Sequence, residues 1–76
     1  MIVTETLDAR GLLCPLPVLK LRKRIKPLAP GDVIDLLADD PAAVIDVPHF
    51  CSEAGHDLIS MDERSDHTLY RVRKSG

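Results

Sequence analysis

Apolar and polar residues alternate in the first segment of the chain, residues 2–7. Val3, Glu5 and Leu7 fall on one face of this segment, and the residues between them fall on the other. A period of two in a stretch with several β-branched residues is typical of a strand. We therefore predict a first strand at residues 2–7, followed by a connection at residues 8–11.

A helical period replaces the alternation in residues 15–26. The apolar positions recur there at three- and four-residue spacing and form one stripe: Val18, Leu21, Ile25 and Leu28. Pro15 and Pro17 fit the first turn of a helix, where backbone N–H groups have no helical partner. Pro27 and the Pro30-Gly31 pair predict its end.

A mostly apolar run, residues 33–38, predicts a buried strand. Asp39, Asp40 and Pro41 then predict the start of a second helix, with an Asp at the cap and Pro41 at the first helical position. Its expected apolar stripe contains Val44, Val47, Phe50 or Cys51, and Ala54. Pro48 should kink or split this helix, and Gly55 should stop it.

Two further strands are predicted at residues 58–63 and 68–73, with a polar hairpin turn at residues 64–67. The order strand, helix, strand, helix, strand, strand implies parallel or mixed pairing with right-handed crossovers. We therefore predict the α/β class: a two-layer βαβαββ sandwich with a four-stranded mixed sheet and both helices on one face. The other face should be exposed or used, and its polar candidates are Thr4, Thr6, Asp35 and Arg71.

The composition narrows the class of protein. A chain of 76 residues that is 45% hydrophobic and 29% charged is expected to form a single domain over residues 1–76, without a large catalytic cavity. No apolar stretch approaches a membrane span and no signal peptide is visible, so we expect no membrane partner. Two cysteines are too few for a disulfide scaffold, which favours a reducing cytoplasm. The lone aromatics, Phe50 and Tyr70, count against direct binding of nucleic acid.

Charge is distributed unevenly along the chain. Residues 9–31 contain six bases and no acid, whereas residues 32–66 contain ten acids and one base. A basic helix face is most often a solvated surface. Here it adjoins a cysteine, Cys14, so it can also serve as a docking surface, with Lys20, Lys23 and Arg24 as the candidates.

Cys14 is the main candidate for chemistry. It precedes the first helix, whose N-terminus should favour an anion. Arg10 and Lys20 are near in sequence, and the N–H groups of Leu16 and Val18 are expected to be free. These features predict a depressed pKa, below about 7.5, and a reactive thiolate. The alternative is a buried small hydrophobe, which the cap position and the basic surroundings disfavour.

The other chemical candidates have simpler explanations. Cys51 lies on an apolar stripe, so packing in the core is favoured over a role as a resolving thiol. The spacing of His49, Cys51 and His56 matches no common zinc pattern, and we predict no metal. Asp39 and Asp40 are explained by helix capping rather than by acid–base catalysis.

Residues 7–17 (LDARGLLCPLP) resemble the N-terminal signature of the TusA, or SirA-like, family of sulfur carriers. Residues 38–42 (ADDPA), 46–51 (DVPHFC) and 70–74 (YRVRK) resemble that family as well, so the similarity spans essentially the whole chain. The family fold is a two-layer βαβαββ sandwich, in agreement with the fold predicted above.

The resemblance implies that Cys14 accepts sulfane sulfur as a persulfide and passes it on, with no cofactor of its own. Arg10, Gly11, Pro15 and Pro17 would be the supporting motif residues. In close relatives the donor is a pyridoxal-phosphate cysteine desulfurase, and the acceptor is a relay of sulfurtransferases that ends in 2-thiouridine at the tRNA wobble position. Other branches serve molybdenum-cofactor enzymes or sulfur oxidation.

The choice of partner stays open. Many family members have Glu where this chain has Leu16, so Leu16 offers an apolar docking spot instead of an acid. We expect partner contacts at Leu16, at the basic residues Lys20, Lys23 and Arg24, and at the Asp39-Asp40 pair. Two other functions fit the same fold: a non-catalytic interaction module, and a thiol redox sensor that would need Cys51 within disulfide reach of Cys14.

Overall fold

The structure is a computed structural model that describes residues 2–75. The elements in that range are β1 (Glu5–Asp8), α1 (Leu16–Ile25), β2 (Val33–Ala38), α2 (Ala43–Ala54), β3 (Asp57–Glu63) and β4 (Thr68–Arg73). The strands form one sheet in the order β1-β2-β4-β3, in which β1 and β2 are parallel and β4 is antiparallel to both of its neighbours. The predicted α/β fold with a mixed sheet is confirmed.

The core lies between the sheet and the two helices. Every second residue of the central strands points toward the helices, which is why Ile34 and Leu36 of β2 and Tyr70 and Val72 of β4 are fully buried. Leu21 and Ile25 of α1 pack on them, and Val18 of α1 and Leu28, just beyond the helix, are partly buried at the margin, as the helical stripe predicted. The two central strands therefore anchor both helices on one face of the sheet.

The opposite face of the sheet has a row of polar residues. The register places Thr6, Asp35 and Arg71 side by side on β1, β2 and β4. Arg71 donates two hydrogen bonds of 2.8 Å to Asp35, whose carboxylate is nearly inaccessible to solvent. Thr4 lies before β1, and its hydroxyl accepts a hydrogen bond from the Val33 N–H. Two of the four polar residues predicted on this face, Asp35 and Arg71, thus pair with each other, and Thr4 binds the backbone of β2.

The second helix differs from the expectation at its start. It begins at Ala43 rather than Pro41, and its cap position is Ala42, with no side-chain hydrogen bond. The prediction of an Asp cap is wrong, because the carboxylates of Asp39 and Asp40 both bind another part of the chain, described below. Pro48 does not split the helix, which continues to Ala54 and ends at Gly55, where φ is +77°.

The buried stripe of α2 also differs from the predicted one. Val44 and Ala54 are exposed, whereas Ala43 is buried together with Val47, Phe50 and Cys51. The helix thus presents positions 43, 47, 50 and 51 to the sheet, which leaves Val44 on the outer side. The start of β1 is three residues later than predicted, although the Thr4 N–H still donates to the Val33 carbonyl over 2.7 Å.

Candidate functional site

Cys14 lies in the loop that leads from β1 into α1. Its side chain is exposed, and the peptide bond between Cys14 and Pro15 is cis. Pro15 occupies the cap position of α1, and Pro17 is buried in its first turn. The expected position of the thiol at the start of the helix is therefore confirmed to within one residue.

Two carboxylates from the loop between β2 and α2 anchor the Cys14 loop. Asp39 accepts hydrogen bonds from the Gly11 N–H at 3.0 and 3.1 Å, and Asp40 accepts one from the Cys14 N–H at 2.8 Å. Gly11 has φ of +82°, a left-handed conformation that residues with a Cβ rarely adopt. The acids that the sequence assigned to a helix cap instead hold the backbone of the cysteine loop in place.

A third carboxylate contacts the thiol itself. The Cys14 Sγ donates a hydrogen bond of 2.9 Å to Asp46 Oδ2, which reaches it from α2. This hydrogen bond raises the pKa of Cys14 above the ordinary thiol value, with smaller contributions from desolvation and from the charges of Asp46 and Asp40. The prediction of a depressed pKa is therefore wrong.

The features expected to favour the thiolate act elsewhere. Arg10 makes two side-chain hydrogen bonds of 3.0 Å to Asp8, and these hold the pKa of Asp8 at about 2. The Leu16 N–H, which was expected to be free, donates to the Leu13 carbonyl at 2.8 Å. A helix end and a nearby base favour a thiolate only when they face it, and the groups that face Cys14 at closest range are acids.

A groove of about 400 Å³ between the two helices begins at Cys14. Its lining comes from both helices and from the loop: Cys14, Pro15, Val18, Leu19, Arg22, Asp46, His49, Phe50 and Glu53. The Arg22 guanidinium carbon lies 5.4 Å from the centre of the Phe50 ring, so this cation covers an aromatic face within the groove. The thiol therefore lies at one end of a partly apolar groove instead of on a flat surface.

Sequence reasoning missed Asp46 and the groove. The sequence did indicate one wall of the groove. Four of its lining residues follow the spacing i, i+3, i+4, i+7 and must share one side of a helix: Asp46, His49, Phe50 and Glu53. Nothing local to Asp46 shows that this side faces Cys14. That fact depends on how the two helices are placed on the sheet.

The residues predicted to bind partners lie in different surroundings. Leu16 is 47% exposed beside Cys14, so it is available for an apolar contact. Lys20 and Lys23 are exposed on α1. Arg24 instead lies next to β1, with its Nε 2.8 Å from Glu5 Oε2. Arg24 is therefore engaged with β1, whereas Lys20 and Lys23 have no ion-pair partner among residues 2–75.

Cys51 is packed in the core, as predicted. Only 2% of the residue is exposed, and burial raises the pKa of its thiol to about 11. Such a thiol is almost wholly protonated at neutral pH and is therefore a poor nucleophile. The two cysteines thus differ in accessibility.

Residues 2–75 contain no cluster of three or more His, Cys, Asp or Glu side chains that could hold a metal ion. Neither helix in the described part of the chain is both long and apolar enough to cross a bilayer. The site itself consists of the accessible Cys14 thiol, its carboxylate neighbours and the groove beside it.

This architecture places the chain among small two-layer α/β proteins with a cysteine loop at the start of the first helix. The crystal structure of a SirA-like protein from Desulfitobacterium hafniense has the same fold, with a TM-score of 0.82 over 95% of this chain and 99% of that one; the two are 20% identical. A family model described as Sulfurtransferase TusA matches residues 5–74. The chain belongs to the TusA family.

Sequence relatives agree with this assignment. The chain is 43% identical over 74 residues to a protein named Sulfur carrier protein TusA from Pseudomonas entomophila, which covers 97% of this chain and 92% of that protein. It is 42% identical over 72 residues to the protein of the same name from Pseudomonas aeruginosa, with 95% and 91% covered. The similarity therefore extends over nearly the full length of both chains.

Proposed function

We propose that this chain is a sulfur carrier that accepts sulfane sulfur on Cys14 as a persulfide and delivers it to an acceptor. The observation that carries the proposal is the exposed Cys14 thiol at the mouth of an interhelical groove, in a chain of the TusA family. A carrier needs a nucleophile that two partners can reach in turn, and a domain of this size presents its thiol to both.

The transfer balances without an added oxidant or reductant. The Cys14 thiol loses its proton to water, and its sulfur attacks the terminal sulfur of a persulfide on the donor. A bond forms between Cys14 Sγ and that sulfur, while the donor's S–S bond breaks and releases the donor cysteine as a thiolate. Delivery repeats the step in reverse, with an acceptor thiolate as the nucleophile and Cys14 as the leaving group.

The donor and the acceptor follow from the family resemblance. We propose a cysteine desulfurase with bound pyridoxal phosphate as the donor and a sulfurtransferase relay, leading to wobble 2-thiouridine in tRNA, as the route of delivery. The single carrier domain would act in the cytoplasm, hold no cofactor and bind no nucleic acid directly. Similarity to proteins named as sulfur carriers supports the carrier role, whereas the donor and the route rest on the family resemblance.

The test is loading followed by intact mass. Incubation with a cysteine desulfurase, L-cysteine and pyridoxal phosphate should add about 32 Da, one sulfur atom, to the wild-type chain. Cys14→Ser should abolish this adduct. Cys51→Ser is the matched control and should still load, because Cys51 is buried.

Three results would redirect the interpretation. An adduct on the Cys14→Ser protein would show that Cys14 is not the carrier residue. No adduct on the wild-type chain would favour a non-catalytic interaction module, whereas a loss of about 2 Da on mild oxidation would indicate a disulfide and a redox sensor.

A further inference from the structure

The contact between Cys14 and Asp46 is the feature of the site that carrier chemistry does not explain by itself. Asp46 Oδ2 lies 2.9 Å from Cys14 Sγ, and the two residues are 32 positions apart in sequence. A carboxylate at this distance accepts a hydrogen bond from the S–H form, whereas it repels a thiolate. A carrier thiol that reacts as a thiolate would be expected to lie beside a cation instead of a carboxylate.

The surroundings of Cys14 do not cancel the charge of Asp46. Asp40, from the loop before α2, binds the Cys14 N–H and adds a second negative charge. Arg22 of α1 lines the same groove but lies over the Phe50 ring, and His49 of α2 is 3.5 Å from Glu53. The hydrogen-bonding groups at the thiol and at its backbone N–H are thus both carboxylates.

We propose that Asp46 is a positioning residue that keeps Cys14 as a protonated thiol in the free carrier, until a cationic side chain of a docked sulfur donor neutralises it. This inference rests on the proposed function and describes how the reactivity of its thiol would be regulated. In the free carrier the nucleophile is suppressed, which also protects it from oxidation and alkylation. In the complex the compensated carboxylate no longer opposes loss of the S–H proton to water, and the thiolate attacks the donor persulfide as described above.

The test measures thiol reactivity in the free carrier and loading in the complex with the donor as two separate assays. Asp46→Asn removes the charge with little change of shape, and Asp62→Asn on β3 makes the same charge change away from the groove. The rate of reaction with a neutral dipyridyl disulfide is measured against pH for each protein, with the site of modification identified by peptide mass. Thermal unfolding monitors the fold, and Asp46→Glu tests whether a carboxylate restores the wild-type profile.

The expected result is a lower midpoint and a faster reaction at neutral pH for Asp46→Asn alone. Because thiol nucleophilicity falls as the pKa falls, each pKa unit should accelerate the reaction about three- to fourfold rather than tenfold. With the cysteine desulfurase, Asp46→Asn should raise the carrier concentration needed for half-maximal loading, because the donor cation loses its partner, while the loading rate at saturating carrier should not fall.

Two outcomes would overturn the proposal. An unchanged pH profile in a folded Asp46→Asn protein would show that Asp46 does not control the thiol. A loss of about tenfold or more in the loading rate at saturating carrier would show that Asp46 helps the transfer, as a base does, instead of restraining it. If the wild-type chain does not load, the proposed function fails, whereas the disulfide reaction still reports on Asp46.

Discussion

Replacing Asp40 with alanine should loosen the loop that presents Cys14. Asp40 accepts the Cys14 N–H at 2.8 Å across 26 positions in sequence, and it therefore ties the start of α1 to the end of β2. A hydrogen bond to a charged group contributes about 1.5–3 kcal/mol, but water can replace part of it at this exposed position, so we expect about 1 kcal/mol. For a domain of this length, that corresponds to a fall in Tm of about 4–8 °C.

The measurement is thermal unfolding of the wild-type, Asp40→Ala and Asp40→Asn proteins in the same buffer. Asparagine keeps an acceptor oxygen but loses the charge, so it should retain part of the stability that alanine loses. Since the charge of Asp40 also contributes to the raised pKa of Cys14, both variants should lower the pKa of that thiol. A Tm for Asp40→Ala within about 1 °C of wild type would refute the anchoring role.

Three further predictions concern charges elsewhere on the molecule. The double variant Lys20→Glu, Lys23→Glu should slow loading from the donor at about 20 mM salt but not at about 500 mM, because salt screens electrostatic steering. Its Tm should change little, and equal loading rates of both proteins at both salt concentrations would exclude a basic docking face. Arg10→Ala should raise the pKa of Asp8 from about 2 toward that of an ordinary carboxyl group, measurable by NMR titration. Burial holds the pKa of His56 below its ordinary value. The unfolded chain therefore binds the proton more readily, and stability should fall as the pH drops through about 6.5, an effect that His56→Gln should remove.

The elements of the fold could be predicted from local patterns. The bounds of β2 and β4 agree with the expectation, because the mostly apolar run of β2 and the alternating segment of β4 each lie between turn residues and allow few alternatives. The helical stripe of α1 identified the side that packs on the sheet. The errors occur at ends and caps, as at residues 39–43, where a side chain can serve either its own helix or a distant loop.

The candidate site was only partly predictable. The chain by itself determined that Cys14 stands just before a helix with two prolines, and the family resemblance made it the candidate nucleophile. It did not determine which charges meet the sulfur. Arg10, close in sequence, pairs with Asp8, whereas Asp46, distant in sequence, binds the thiol.

The reason is the range of the forces involved. Helical and strand periods, caps and turns depend on neighbours within a few residues, so the sequence displays them directly. A hydrogen bond to a thiol and the resulting pKa depend on separations of a few ångström between groups on different elements. The packing of α1 against α2 on the sheet sets those separations, and so the tertiary structure alone decided that a carboxylate rather than a cation faces Cys14.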